Sequence, residues 1–295
     1  MIPAEKIDPA IYPFESHYLT IGGHRYHYVD EGTGDPVVLL HGNPSWSIYY
    51  RELIQKLSLH YRCLAPDHIG MGLSDKPGDA AYSYTLSQRV KDLEEFLAAK
   101  GISEGITLVV HDWGGVIGMS YARRHPAAIK KIVLLNTSAF HLPETKPLPM
   151  MLRLTRTWLG AFFVRGFNAF SGGATRVGVR RKQMSRALRR AYTAPYNSWQ
   201  NRIATLRFVQ DIPLKKGDPG FDYVTDLQDH LHLFRQTPVL IAWGMKDVVF
   251  DAHFLRKWID YLPQAKVHRF EDCGHYVLED AQEEICKLIL DFLSD

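Results

Sequence analysis

The chain has 295 residues, 46% hydrophobic and 23% charged, with a formal net charge of +3. That length suits one large α/β domain with an insertion, or two modest domains, and no run of 18 apolar residues is there to span a bilayer. The first residues lack a basic stretch followed by an apolar one, so no signal peptide is read; Cys63, Cys273 and Cys286 are too few and scattered for a disulfide framework or a zinc site, which suits reduced thiols in the cytoplasm, and the small net charge makes no case for a nucleic-acid partner.

His17–Ile21 and Arg25–Val29 alternate around Gly22-Gly23, a hairpin signal. Pro36–Leu40 is a short apolar strand ending in His41-Gly42-Asn43-Pro44, after which Ser45 is placed to cap a helix running to about Leu57. Arg62–Ala65 is another strand, leading into Asp67 through Asp75. The glycines there lack both the Lys-Ser/Thr of a phosphate loop and the G-x-G-x-x-G spacing, and read as a tight turn. Thr85–Lys100 has helical periodicity, with Leu86, Val90, Leu93, Phe96 and Leu97 on one side. Ile106–Val110 then runs straight into His111-Asp112-Trp113-Gly114-Gly115, as a strand buried on both faces does. Val116–Ala122 reads as a helix ending before Pro126, so Asp112 stands on a sharp strand-to-helix turn. It reads either as a helix N-cap or as the reactive group of a nucleophile elbow. Ile129–Leu135 is the next strand.

Around Phe140 the alternation stops. Met150 to Arg207 is helical in pattern and rich in aromatics, among them Trp158, Phe162, Phe163, Phe167, Tyr192, Tyr196 and Trp199. From Thr145 to Gln210 there is no acidic residue, against thirteen Lys and Arg. A change this sharp marks a separate unit. At Pro238 the rhythm resumes with strand Val239–Trp243, helix Ala252–Leu262, strand Lys266–Phe270 and a closing helix Gln282–Leu293. Residues 1–137 and 229–295 are thus expected to form one α/β domain with a mostly parallel sheet flanked by helices, and residues 138–228 a helical cap above the carboxyl ends of its strands, where such sheets bind ligands. The basic cap reads first as a solvated face that pairs with the acidic main domain, and second as a dock for an acidic partner or an anionic membrane surface. A homo-oligomer is compatible with the sequence.

Three predicted strand ends supply polar side chains to one rim: Asp112, Asp247 across Gly244-Met245-Lys246, and His275 across Glu271-Asp272-Cys273-Gly274. Nucleophile, acid, histidine is the chain order of α/β-hydrolases, with Asp in place of Ser. A carboxylate needs no activation to attack a saturated carbon, so His275 would serve as base only when water hydrolyses the resulting ester, and Asp247 would orient it. Asn43 and Trp113 carry neutral N–H donors suited to a departing anion, and their backbone N–H groups suit an oxyanion hole.

The segments His41-Gly42-Asn43-Pro44, Asp67 through Pro77, Val109 through Gly115, Trp243 through Asp247 and Gly274-His275 together resemble the haloalkane dehalogenases, a family with the α/β-hydrolase fold and a helical cap inserted after the sixth strand. The resemblance implies Asp112 as nucleophile, His275 as base, Asn43 with Trp113 as leaving-group donors and no cofactor or metal. Some members place the acid after the sixth strand; here Asn136-Thr137 stand there, which leaves Asp247. The segment Arg207 through Leu214 resembles the end of the family's cap and would put Pro213 beside the leaving group. The branch with this arrangement also holds proteins similar to β-lactone decarboxylases. Hydrolysis of small, apolar, uncharged haloalkanes, releasing halide, is therefore expected first, and β-lactone decarboxylation second. Epoxide hydrolysis is disfavoured by Asn43, though Tyr192, Tyr196 and Tyr223 stand in or near the cap; a non-catalytic receptor would normally have lost one of the five residues.

Overall fold

The computed structural model describes residues 7–147 and 150–295; residues 1–6, on which the reading of the leader falls, lie outside it. Among the described residues eight strands form one sheet: β1 (His17–Ile21), β2 (His24–Glu31), β3 (Pro36–Leu40), β4 (Arg62–Pro66), β5 (Ile106–Asp112), β6 (Ile129–Thr137), β7 (Val239–Gly244) and β8 (Lys266–Phe270). Their spatial order is β1-β2-β4-β3-β5-β6-β7-β8. β2 runs antiparallel to both neighbours, and every pairing from β4 onward is parallel. β5 lies between β3 and β6 and is buried at all seven positions. Each of its buried Val and Leu side chains contributes roughly 1.5–3 kcal/mol, which anchors the polar pair at its end.

The helices α1 (Arg51–Leu57), α2 (Leu86–Ala99) and α3 (Trp113–Arg124) precede β6. α1 packs against the closing helix of the chain, and α2 against α3. Thr85 caps α2 by accepting the Gln88 N–H. Ser45 caps nothing: the turn after β3 begins with Ser47–Tyr50, and Trp46 stands at its N-cap with no side-chain bond. The reason is that Asp67, from the next loop, accepts the Ser47 N–H at 2.7 Å and so satisfies the donor that a cap would serve. Asp67 also accepts from His27 at 2.8 Å and from the Leu73 N–H at 2.8 Å. Burial pushes its carboxyl up, yet these partners hold it at about 2. The glycine-rich turn is thus knotted around a buried carboxylate.

Among the described residues six α-helices lie between β6 and β7, α4 (Met150–Leu154), α5 (Trp158–Phe167), α6 (Ala169–Val177), α7 (Arg186–Thr193), α8 (Ile203–Gln210) and α9 (Phe221–Asp229). Local stops keep them short: Thr157 and Ser185 cap α5 and α7, and Asn168 turns the chain in a left-handed conformation. After β7 come α10 (Ala252–Tyr261), α11 (Val277–Asp280) and α12 (Gln282–Ser294). The expected pairing of the basic segment with the rest of the chain is mostly absent. Lys146 meets Asp251, Arg181 meets Asp272 and Glu284, and Arg207 meets Asp79. Among the described residues the other ten cations between Thr145 and Gln210 form no ion pair. All three cysteines are free and buried, and no described helix is long and apolar enough to cross a membrane.

The start of α3 is seated by glycine. A Cβ on Gly114 would lie 1.9 Å from the Leu40 carbonyl oxygen, so Gly114→Ala should destabilise the fold by roughly 1–3 kcal/mol. Gly173→Ala, in open space on α6, should be neutral or stabilise by up to about 1 kcal/mol. Equal denaturation midpoints for the two variants would show that this close approach is not required.

Candidate active site

Asp112 ends β5 with φ 51° and ψ −123°, a conformation costly for a residue with a side chain. It makes no side-chain cap bond to α3, so the N-cap reading is set aside. Instead its Oδ1 accepts the backbone N–H of Asn43 at 2.6 Å, and the Trp113 N–H also supports the carboxylate. Thr137 clamps the elbow from β6, its hydroxyl donating to the Asp112 carbonyl at 2.5 Å. His111, just before it, donates through Nε2 to the His275 carbonyl at 2.9 Å; burial pushes its pKa well down, so it is neutral.

His275 and Asp247 come to the same rim as expected. His275 Nδ1 donates to Asp247 Oδ2 at 2.8 Å, and its Nε2 faces Asp112 Oδ2 at 3.8 Å, a gap wide enough for a reacting atom. Burial presses the imidazole pKa down, but Asp247 and then Asp112 outweigh it and hold His275 above its ordinary value. Burial raises the Asp112 carboxyl, and His275 with the two backbone N–H groups offsets only part of this.

A support missed in the sequence is Asn136, at the end of β6 with φ 34°. Its amide donates to Asp247 Oδ2 at 3.1 Å and to the Gly244 carbonyl at 3.0 Å, and its Oδ1 accepts the Gly244 N–H at 2.7 Å. The Val249 N–H holds the other Asp247 oxygen at 2.7 Å. Asn136 was visible only as the residue standing where some relatives carry the acid.

Asp112, Trp113 and Pro213 line one cavity of about 440 Å³, walled mainly by carbon, including Phe140, Ile212 and Phe250. The Asn43 side chain is buried beside Asp112 but turned toward α8: Nδ2 donates to the Thr205 carbonyl at 3.0 Å, and Oδ1 has no partner. One of the two hydrogens on the Asn43 amide nitrogen is thus engaged by α8, and the other is left for a leaving group. Phe208 of α8 meets the Trp113 ring edge-on at 5.1 Å. Behind them the fully buried Arg89 of α2 lies 3.7 Å over the Phe208 ring and 5.3 Å from Trp113, paired through Nη1 with Asp211 at 2.9 Å while Nε and Nη2 have no partner. Of the tyrosines weighed for epoxide chemistry, Tyr192 donates to Glu279 and Tyr196 to the Ser45 carbonyl, and neither lines the cavity.

A strained acidic elbow, an acid–histidine pair and an apolar chamber can displace a leaving group from carbon through an ester on Asp112. The profile of the alpha/beta hydrolase fold matches residues 35–282. A cis-3-alkyl-4-alkyloxetan-2-one decarboxylase of Shewanella oneidensis is 56% identical over 284 residues, 96% of this chain and 89% of that protein. One of the same name from Xanthomonas campestris is 51% identical, covering 90% and 91%. Haloalkane dehalogenase 2 of Mycobacterium bovis is 31% identical, covering 96% of both. Among solved structures, a point mutant of the haloalkane dehalogenase DatA of Agrobacterium tumefaciens superposes with a TM-score of 0.86 over 98% of this chain and 100% of that one, at 23% identity, a likeness of fold.

Asn136→Asp keeps the acceptor for Gly244 but replaces the donor on Asp247 with a second carboxylate. Losing that bond in a buried site should cost on the order of 1.5–3 kcal/mol, a tenfold or greater fall in kcat. An unchanged rate in a folded Asn136→Asp protein would remove Asn136 from the machinery.

Proposed function

The chain belongs to the α/β hydrolase fold family, in the branch that holds haloalkane dehalogenases and oxetanone decarboxylases, and on that premise we propose that it is a β-lactone decarboxylase that turns cis-3,4-dialkyl-oxetan-2-ones into alkenes and carbon dioxide. The observation that carries this reading is the step in identity, from 31% with a dehalogenase to 56% and 51% with two proteins named for the lactone reaction. It reverses the order expected from the motifs, which put dehalogenation first. The apolar lining of the cavity supports the reversal, because a dialkyl lactone presents mostly hydrocarbon to its walls. So does the size of the apolar cavity, which has room for two alkyl chains.

In this reading Asp112 attacks the saturated ring carbon that carries the lactone oxygen. The C–O bond opens with inversion and leaves a carboxylate two carbons from the new ester. That carboxylate departs as carbon dioxide, its C–C electron pair forms the double bond, and Asp112 leaves with its own pair restored. Inversion followed by anti elimination keeps the two alkyl groups on one side, so a cis lactone gives a cis alkene. No water is consumed and no proton moves. Asp247 and Asp112 raise the pKa of His275 against its burial, and in its protonated form it is the counter-charge for Asp112 and for the carboxylate released into an apolar chamber. Residues 138–228 would act as the cap that keeps water out.

Hydrolysis of haloalkanes stays as a second reading, supported by Asn43, Trp113 and Pro213 around Asp112 and by the dehalogenase relatives. Here a neutral His275 must deprotonate water. The two readings predict opposite pH limbs. The imidazole is held above its ordinary 6.5, so decarboxylation should decline as pH rises through that raised value, while hydrolysis of an alkyl ester should rise through it.

Side-by-side assays with a cis-3,4-dialkyl β-lactone and a terminal bromoalkane are expected to show lactone turnover orders of magnitude faster, lost in Asp112→Ala. Brisk halide release with inert lactones would sink the decarboxylase reading. With a reactive bromoalkane, His275→Phe should accumulate the alkyl mass on the Asp112 peptide, since only the hydrolytic step needs a base. Full halide turnover by that variant would exclude the ester route.

A further inference from the structure

We propose that the exposed apolar face of α5, with the unpaired cations of the same segment of chain, docks the protein on the surface of an anionic lipid bilayer. The proposal concerns a surface, and it stands whichever substrate the cavity takes. Trp158, Leu159, Phe162, Phe163 and Phe167 are 77%, 46%, 46%, 51% and 67% exposed. At helical spacing they cover about half of the circumference of α5, away from the buried Gly160 and Val164. Trp199, 44% exposed, extends the face, with the Phe162 ring 6.0 Å from it. A contiguous patch of this kind on a protein surface marks an interaction site.

Three observations select lipid as the occupant. The first is chemical type. Trp and Phe with arginine at the edge suit the boundary between headgroups and acyl chains, and the Arg165 guanidinium stands 4.6 Å over the Trp199 ring within the patch. The second is charge. No carboxylate occurs from Thr145 to Gln210, and ten of the cations there lack an acidic partner among the described residues, so an anionic surface meets complementary charge. A second copy docking by the same face would bring like charge to like. The third is position. Leu152 of α4 lines the apolar cavity, two residues before the exposed Leu154. Arg156, in the link between α4 and α5, donates to the carbonyls of Gln210 and Ile212, and Gln210 donates back to the Thr155 carbonyl at 3.1 Å. The helix before α5 thus contributes to a wall of the cavity, and its link to α5 is tied to the segment that holds Ile212 on that wall; molecules apolar enough to fill that cavity dissolve in bilayers.

The test is co-sedimentation of the full chain with phosphatidylcholine vesicles, with and without phosphatidylglycerol, at low and high salt. Binding is expected only to the anionic vesicles, with weakening by salt and a blue shift of tryptophan emission as Trp158 leaves water. The double variant Phe163→Glu/Phe167→Glu should lose binding while its thermal unfolding is unchanged. Removing two cations with Arg153→Ala/Arg186→Ala should weaken binding on the order of thirtyfold. No binding of the native chain to anionic vesicles at low salt overturns the proposal, as does binding that survives both glutamates. If the native chain ignores vesicles and the glutamate variant instead breaks a multimer, the face belongs to a second copy and the lipid proposal is wrong.

Discussion

Asp112 sits in a backbone conformation that costs on the order of 1–3 kcal/mol for an L residue, and much of the molecule is arranged to keep it there. β5 anchors one side, buried at every position between two parallel neighbours. Gly114 and Gly115 let α3 begin against the carbonyl of Leu40 and the hydroxyl of Thr137. Gly42 opens the space that the carboxylate fills, since a Cβ there would stand 2.0 Å from Asp112 Oδ1. The strain points the carboxylate at His275 and the cavity, which a relaxed helix cap would not do.

Around this point the electrostatics are closed. Asp247 and Asp112 flank one imidazole, and Asn136, Val249, Asn43 and Trp113 supply the N–H groups that buried carboxylates require. In a low-dielectric site each such bond counts for more than in water, and each missing one costs more. Arg89 departs from this economy: a fully buried guanidinium with one carboxylate partner and two donor groups unmet, held by the faces of Phe208 and Trp113.

The parallel sheet, the elbow and the Asp112–Asp247–His275 constellation were legible because each rests on a local pattern: an apolar run, then a turn, then a polar side chain. What escaped is carried by contacts across the chain. The donor that Ser45 was to satisfy is met by Asp67, on another loop. Asn136 acts on a carboxylate 111 positions away, and a lone amide after a strand carries no sign of that. Arg89 interrupts the apolar side of α2 because its partner, Asp211, arrives from the helices between β6 and β7. The ranking of the two reactions was not legible from Asn43, Asp112, Trp113, Asp247 and His275, because a set of this kind suits either reaction. What favours one lies in the similarity of the chain as a whole to its relatives.

Asn43 joins two assemblies through one residue. Its backbone N–H steadies the Asp112 carboxylate, and its side-chain amide grips the Thr205 carbonyl of α8. A ligand that draws the amide away from Thr205 works against the seating of α8, and a ligand that uses its other N–H does not. By thermodynamic reciprocity, whatever free energy a bound molecule takes from the seating of α8 is the same amount by which an unseated α8 favours that molecule. The seat of the Asp112 carboxylate and the seat of α8 are in this way tied through one asparagine, so a strain placed on either is felt at the other.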